Sequence, residues 1–110
     1  MNKYRDKSDF EINEAVTEEL IQSGFIIGVE YHDKHILVTD KYANNYPFDP
    51  CNNPYDAMPI IIENKISIIH KKNDGTWYAY QPFKSVEHEN FYRAAMELFL
   101  LMKDAENEKS

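Results

Sequence analysis

Cys51 and the pair His32 and His35 are the residues of this sequence whose side chains are best suited to chemistry. A cysteine nucleophile needs a basic partner that lowers its pKa, so Cys51 beside a histidine would indicate a small hydrolase. Cys51 lies between Pro50 and Asn52, however, and no basic neighbour or helix start accompanies it. We therefore favour a bystander thiol and keep the hydrolase as an alternative.

His32 and His35 form an HxxH pattern, which is also found among zinc ligands. Zinc needs three or four ligands in a tetrahedron, and no CxxC or HExxH motif supplies the others. The two histidines are better explained as turn residues. Glycine-rich phosphate loops and a GxSxG nucleophile motif are also missing from the sequence. The sequence therefore predicts no catalytic residue, no metal ligand and no cofactor.

The charge of the chain argues against direct nucleic-acid binding. Nineteen acidic residues against twelve basic ones give a net charge of −7, and the bases are scattered except for Lys71 and Lys72. Non-specific binding to nucleic acid depends on Lys and Arg that neutralise phosphates. Glu11, Glu14 and Glu18 share one face of a predicted helix, which raises an alternative, an acidic DNA mimic that inhibits a nucleic-acid-processing or defence enzyme. We favour a solvated helix face.

A chain of 110 residues suits one domain, predicted over 1–110 with a core over 8–105 and fraying tails at 1–7 and 106–110. Its longest uncharged apolar run, Leu98–Met102, is too short to cross a membrane. The first residues do not resemble a signal peptide, and a single cysteine fits a reducing cytoplasm. We therefore expect a cytoplasmic protein without membrane association.

The first predicted helix covers about residues 9–22. Ser8 and Glu11 fit a capping box, apolar residues follow at helical spacing, and Gly24 marks the end. A second, short helix is predicted to open at Asp56. Its inward-facing residues would be Met58, Ile61 and Ile62.

Two hairpins account for four predicted strands. The first pairs 25–31 with 36–39, and the second pairs 66–71 with 77–80 across the turn Asn73-Asp74-Gly75. Pro82 is expected to end the second hairpin. We predict that Trp77 is largely buried against the last helix, since it would supply one of the largest apolar surfaces available.

The last helix is predicted to begin at Ser85 or Glu87 and to run to about Ala105. These elements indicate an α+β fold in the order α-β-β-(loop/short α)-β-β-α, with helices packed on one face of an antiparallel sheet of about four strands. The last helix is apolar almost all round, and a row of Tyr92, Met96 and Phe99 lacks an obvious cover. These three residues therefore predict the interface of a homodimer.

The segment 40–56 is the most unusual part of the sequence. It combines three prolines and four asparagines with several aromatic residues and has no periodicity. Such a long loop in a small domain is often functional. The alternative interpretation is that its aromatics simply plug the edge of the core. The predicted partner-binding residues are Tyr42, Tyr46, Phe48 and Tyr55.

Several segments together resemble a known phage family. They are the opening Ser8–Val16, the stretch Ala57–Ile68 that contains PIIIENKIS, the strand Trp77–Ala79 and the RAAM segment Arg93–Met96. In this order they resemble the NinX family of small phage and prophage proteins, named after the nin region of lambdoid phages. The resemblance implies a phage or prophage origin and a bacterial cytoplasm, and it assigns no catalytic residues because the family has no established activity.

The favoured function is therefore that of a non-catalytic phage accessory protein that binds a host or phage protein. The physical interpretation of the RAAM segment is structural. Arg93 is expected to pair with Glu89 and Glu97, each one helical turn away, and the two alanines allow a close helix approach.

Overall fold

The protein, seen in a computed structural model that describes residues 2–108, has the predicted α+β class with more strands than expected. Its strands form two three-stranded antiparallel sheets, β1-β2-β3 and β4-β5-β6, instead of one four-stranded sheet. The elements in chain order are α1 Asp9–Gln22, β1 Ile26–His32, β2 His35–Asp40, β3 Asn45–Pro47, α2 Pro54–Glu63, β4 Ser67–Lys71, β5 Thr76–Gln81, β6 Lys84–His88 and α3 Phe91–Glu108.

The bounds and the cap of α1 are confirmed. The amide of Glu11 donates to the Ser8 hydroxyl over 3.1 Å, and the amide of Ser8 donates to the Glu11 carboxylate over 3.0 Å. Gly24 follows the helix with φ of 86°, a conformation that glycine adopts without steric cost. Ile12 and Val16 are fully buried, so the predicted apolar face anchors the helix to the core.

The first sheet contains the predicted hairpin and one additional strand. β1 and β2 pair in antiparallel register, and Tyr46 of the short β3 lies opposite Val38 of β2. β3 was missed because it has only three residues and lies inside the proline-rich segment. This pairing holds the middle of the predicted loop against the sheet.

The second sheet corrects the predicted start of the last helix. Ser85 and Glu87 belong to β6, which pairs with β5 after a two-residue turn of Pro82 and Phe83. Pro82 ends β5 as expected, but it also sets a turn whose second residue, Phe83, has φ of 72°, as a type II turn requires. The helix α3 begins only at Phe91.

α3 lies in the centre of the molecule, where it contacts β5, β6, α1 and α2. Ala94 and Ala95 are fully buried, so their small side chains permit the predicted close approach. Met96 is also fully buried and Phe99 is 2% exposed, both inside one chain, while Tyr92 is partly buried. The predicted dimer interface is therefore wrong for Met96 and Phe99, because neighbouring elements of the same chain cover them; the oligomeric state itself stays a prediction.

Trp77 is partly buried, with most of its surface covered, which agrees with the prediction, although it is not among the fully buried residues of the core. Its ring packs edge-to-face on Phe91 of α3, with the ring centroids 5.1 Å apart, which confirms the contact with the last helix. Ala79, two residues further along the same face of β5, is fully buried. Trp77 therefore lies beside the first turn of α3.

The N-terminal segment is not a frayed tail. Tyr4 packs against the core, and its hydroxyl donates to Asp104 over 2.6 Å. Asn2 donates to Glu97 over 2.6 Å. At the other end of the chain, α3 extends through Glu108, beyond the predicted end at Ala105. The parts of the predicted tails at residues 1 and 109–110 lie outside the described residues.

The helix α2 begins at Pro54, and its N-cap lies three residues before Asp56, the predicted N-cap. Asn53 is its N-cap, because the Asn53 side-chain oxygen accepts from the amide of Tyr55 over 3.0 Å. Ile61 is buried as expected, whereas Ile62 is 68% exposed. No helix in the range 2–108 is both long enough and apolar enough to cross a bilayer.

Candidate binding groove

An open groove of about 810 Å³ lies beside the proline-rich loop. It is bounded by the last turn of α1, by one face of α2, by β3 and by the second half of α3. We call it the aromatic groove, because six aromatic rings line it: Phe25, Tyr42, Tyr46, Phe48, Tyr55 and Phe99. The four aromatic residues of the predicted partner-binding set are thus brought together on one surface, while their role in binding stays a prediction.

These rings divide into a buried floor and an exposed rim. Phe48 is 4% exposed and Phe99 is 2% exposed, so both belong to the core, and Phe48 does plug the edge as the alternative interpretation proposed. Tyr42 and Tyr55 are 70% and 89% exposed. Large aromatic side chains over an apolar floor are typical of surfaces that bind a partner.

Asp40 positions the rim residue Tyr42. Its carboxylate accepts from the amides of Tyr42 and Asn44 over 2.9 and 3.0 Å, which closes a turn that includes Ala43 at φ of 70°. Burial alone would raise the pKa of the Asp40 carboxyl, but the hydrogen bonds from Asn44 and Tyr42 outweigh it and lower that pKa. The charged carboxylate therefore stabilises this unusual turn.

Asp56 joins the opening of α2 to the loop before it. Its carboxylate accepts from the amide of Asp49 over 2.8 Å, and the residue is 9% exposed. Burial raises the pKa of the Asp56 carboxyl, and the hydrogen bond from the amide of Asp49 offsets only part of that rise. The role predicted for Asp56, the cap of α2, belongs to Asn53, and Asp56 instead fixes the loop that carries Phe48.

Both signs of charge occur around the aromatic groove. The Lys41 ammonium lies 5.9 Å from the Phe25 ring centroid and 5.4 Å from that of Tyr42. The Lys103 ammonium lies 5.6 Å from the Phe99 centroid and 3.2 Å from Glu106. Sequence reasoning missed these groove residues, since only the chain fold brings them together.

Cys51 is fully buried and has a structural position. Its amide donates to the Asn13 side chain over 3.0 Å, and its thiol donates to the carbonyl of Asp9 over 3.8 Å. Burial raises the pKa of the Cys51 thiol, and the negative charge of Asp9 raises it further. A thiol in such surroundings is inert, so the geometry disfavours the hydrolase alternative based on Cys51.

His32 and His35 lie opposite each other at the tip of the β1–β2 hairpin, and both are exposed. His32 lies 3.8 Å from the carboxylate of Glu30. Among residues 2–108, no group of three or more His, Cys, Asp or Glu side chains is arranged to hold a metal ion. The two histidines flank the turn that joins β1 and β2.

One of the three glutamates on the predicted acidic face of α1 has a structural role. The Glu11 carboxylate accepts the capping hydrogen bond from the Ser8 backbone, which lowers the pKa of Glu11. Glu14 and Glu18 remain on the surface. This arrangement adds no support to a DNA mimic.

Arg93 lies in a buried polar cluster away from the aromatic groove. It binds Glu97 over 2.5 Å as predicted, but its second carboxylate partner is Asp9 at 2.7 Å instead of Glu89. The same guanidinium donates to the backbone carbonyls of residues 4, 5 and 7. The cluster holds the N-terminal segment against α1 and α3.

Comparisons with known proteins give one match. The family model described as Bacteriophage P22, NinX matches residues 3–103. No curated protein and no solved structure matches the chain.

Proposed function

The chain belongs to the bacteriophage P22 NinX family, and we propose that it is a non-catalytic phage accessory protein that binds a host or phage protein through the aromatic groove. The observation that carries this proposal is the pair Tyr42 and Tyr55, which stand 70% and 89% exposed beside the buried Phe48 and Phe99. On this proposal the protein works in the cytoplasm of the bacterial host.

The composition of the groove fits the anchors of protein interfaces. Tyrosine is enriched among the residues that contribute most to binding, because it offers a large rigid surface with a polar tip. Tyr42 and Tyr55 are held by local backbone contacts, from Asp40 and Asn53 respectively, so their backbones are ordered before a partner arrives. Less conformational entropy is lost on binding when the residues are positioned in advance.

Affinity capture from phage-infected host cells tests this function. The tagged wild-type chain is compared with the double variant Tyr42→Ser/Tyr55→Ser and with the control Phe83→Asn. Phe83 is also a fully exposed aromatic residue, but it lies in the β5–β6 turn outside the groove, and asparagine tolerates its positive φ.

We expect the wild type and the Phe83→Asn variant to recover the same specific protein, and the groove variant to lose it. Equal recovery by all three chains would place the binding surface elsewhere. Recovery of no specific protein by the wild type would contradict the proposed function itself.

A further inference from the structure

Two helices end at the aromatic groove, and the last turn of neither contains a basic residue. Glu19 lies in the last turn of α1 and Glu63 in the last turn of α2, and both line the groove. Carbonyl groups at a helix C-terminus carry a partial negative charge that favours nearby cations. The two glutamates add full negative charges at positions where helices usually place Lys or Arg.

The resident lysines of the groove do not form ion pairs with these glutamates. Lys41 lies over the rings of Phe25 and Tyr42, and Lys103 lies over Phe99 and binds Glu106. Within the described part of the chain, Glu19 and Glu63 form no ion pair. The lysine contacts also demonstrate that rings of this groove accept ammonium groups at cation–π distance.

From this geometry we infer that the groove takes a short apolar segment of a partner protein that carries an arginine or lysine. The inference rests on the proposed function and specifies its ligand. The cationic group would face Glu19 and Glu63, while apolar side chains of the segment would pack against the exposed rings of Tyr42 and Tyr55. A volume of about 810 Å³ accommodates a few side chains and not a folded domain. The net charge of −7 would steer such a basic segment toward the protein.

Defined peptides test the charge preference. The probes are fluorescein-labelled nonapeptides with a central Arg, Gln or Glu. The flanking positions are leucine or proline in randomised order, and the same flanks are used for each central residue. Fluorescence anisotropy measures the binding of each peptide to the full chain. We expect the best arginine peptides to bind about fivefold tighter than their glutamate counterparts, as two partly exposed ion pairs would produce.

A matched pair of variants locates the effect. Glu19→Lys/Glu63→Lys reverses the charges in the groove, whereas Glu18→Lys/Glu30→Lys makes the same change of net charge at exposed positions outside it. The first variant should lose the preference for arginine, and the second should keep it. Loss of the preference in both variants would mean that net charge alone is responsible, which would overturn the inference.

The outcome separates this inference from the proposed function. Equal affinity for the arginine, glutamine and glutamate peptides, or no binding of any of them, overturns the charge preference. The proposed function still stands in that case if capture of a partner depends on Tyr42 and Tyr55. If capture also fails, both are overturned.

Discussion

The two halves of α3 meet opposite kinds of surroundings. In the first half, Arg93 and Glu97 are charged and almost completely buried, at 4% and 1% exposure. Further along the helix, Phe99 is 2% exposed and lies beneath a groove whose aromatic rim, Tyr42 and Tyr55, opens to solvent. Buried charges and open apolar surfaces are both departures from the usual pattern, and each calls for a physical explanation.

The buried charges have a structural explanation. The Arg93 guanidinium binds two carboxylates and backbone carbonyls of the N-terminal segment, and Asn2 donates to the remaining oxygen of Glu97. Such complete pairing is what a buried ion pair needs to be tolerated. The exposed rings of Tyr42 and Tyr55 at the rim of the groove have no comparable cover within the described chain. Polar burial thus maintains this fold, and on the proposed function the exposed aromatic rim is the binding surface.

The largest predicted effect is on the buried cluster. Arg93→Ala should lower the free energy of unfolding by about 3 to 5 kcal/mol, because it leaves Glu97 buried without a cationic partner. Urea denaturation measures this, with the exposed Arg5→Ala as a control that should change stability by less than about 0.5 kcal/mol.

A double variant distinguishes an unpaired charge from lost packing. Arg93→Met/Glu97→Leu removes both charges, so it should be more stable than Arg93→Ala. Equal instability of the two variants would show that the carbonyl contacts of Arg93, and not its pairing with Glu97, hold this half of α3.

A smaller effect is expected at Trp77, beside the first turn of α3. Trp77→Ala should reduce stability by about 2 kcal/mol, below the roughly 3 to 5 kcal/mol of a fully buried tryptophan, since part of the side chain already faces solvent. The fully buried Met96→Ala is the comparison, with an expected loss of about 2 to 5 kcal/mol. A larger loss at Trp77 than at Met96 would contradict the burial described here.

Local signals in the sequence predicted several elements correctly. The Ser8–Glu11 capping box predicted the start of α1, and the Asn73-Asp74-Gly75 turn predicted the second hairpin. Both signals act within a few residues, so these elements could be inferred without tertiary information. β6 was missed because Ser85–Glu87 offers one buried residue, Val86, and borders a strongly helical segment. A five-residue strand whose pairing depends on a neighbouring strand gives little periodicity of its own.

The candidate site was predictable only in part. The unusual composition of the loop predicted its four aromatic residues as a binding set. All four line the same groove. Glu19, Glu63 and Phe99 lie on three different helices that are far apart in the sequence. Only the tertiary fold brings them to the same groove. Phe99 was assigned to a dimer because the apolar face of a central helix resembles an interface until the elements that cover it are known.

The turn at Asp40 gives a pH-dependent test at the groove. Because the folded-state pKa of Asp40 is lowered, its charge stabilises the fold above the unfolded pKa of about 3.9 and loses this contribution as pH falls through the folded-state value. Wild type should therefore be more stable than Asp40→Asn at pH of about 6, and the difference should shrink at pH of about 3. Urea denaturation at both values measures it; a difference that does not vary with pH would contradict this role of the carboxylate.

The smallest effect on stability is expected at the exposed rim of the groove. Tyr42→Ser/Tyr55→Ser removes rings that are 70% and 89% exposed, so the free energy of unfolding should change by about 0.5 kcal/mol or less, while capture of a partner is lost. The backbone contacts that position both residues come from Asp40 and Asn53 and do not involve the tyrosine rings. A loss of more than about 2 kcal/mol would mean that the rings cover the core, as Phe48 does. The contrast between the two halves of α3 would then disappear, because both surroundings would serve the fold alone.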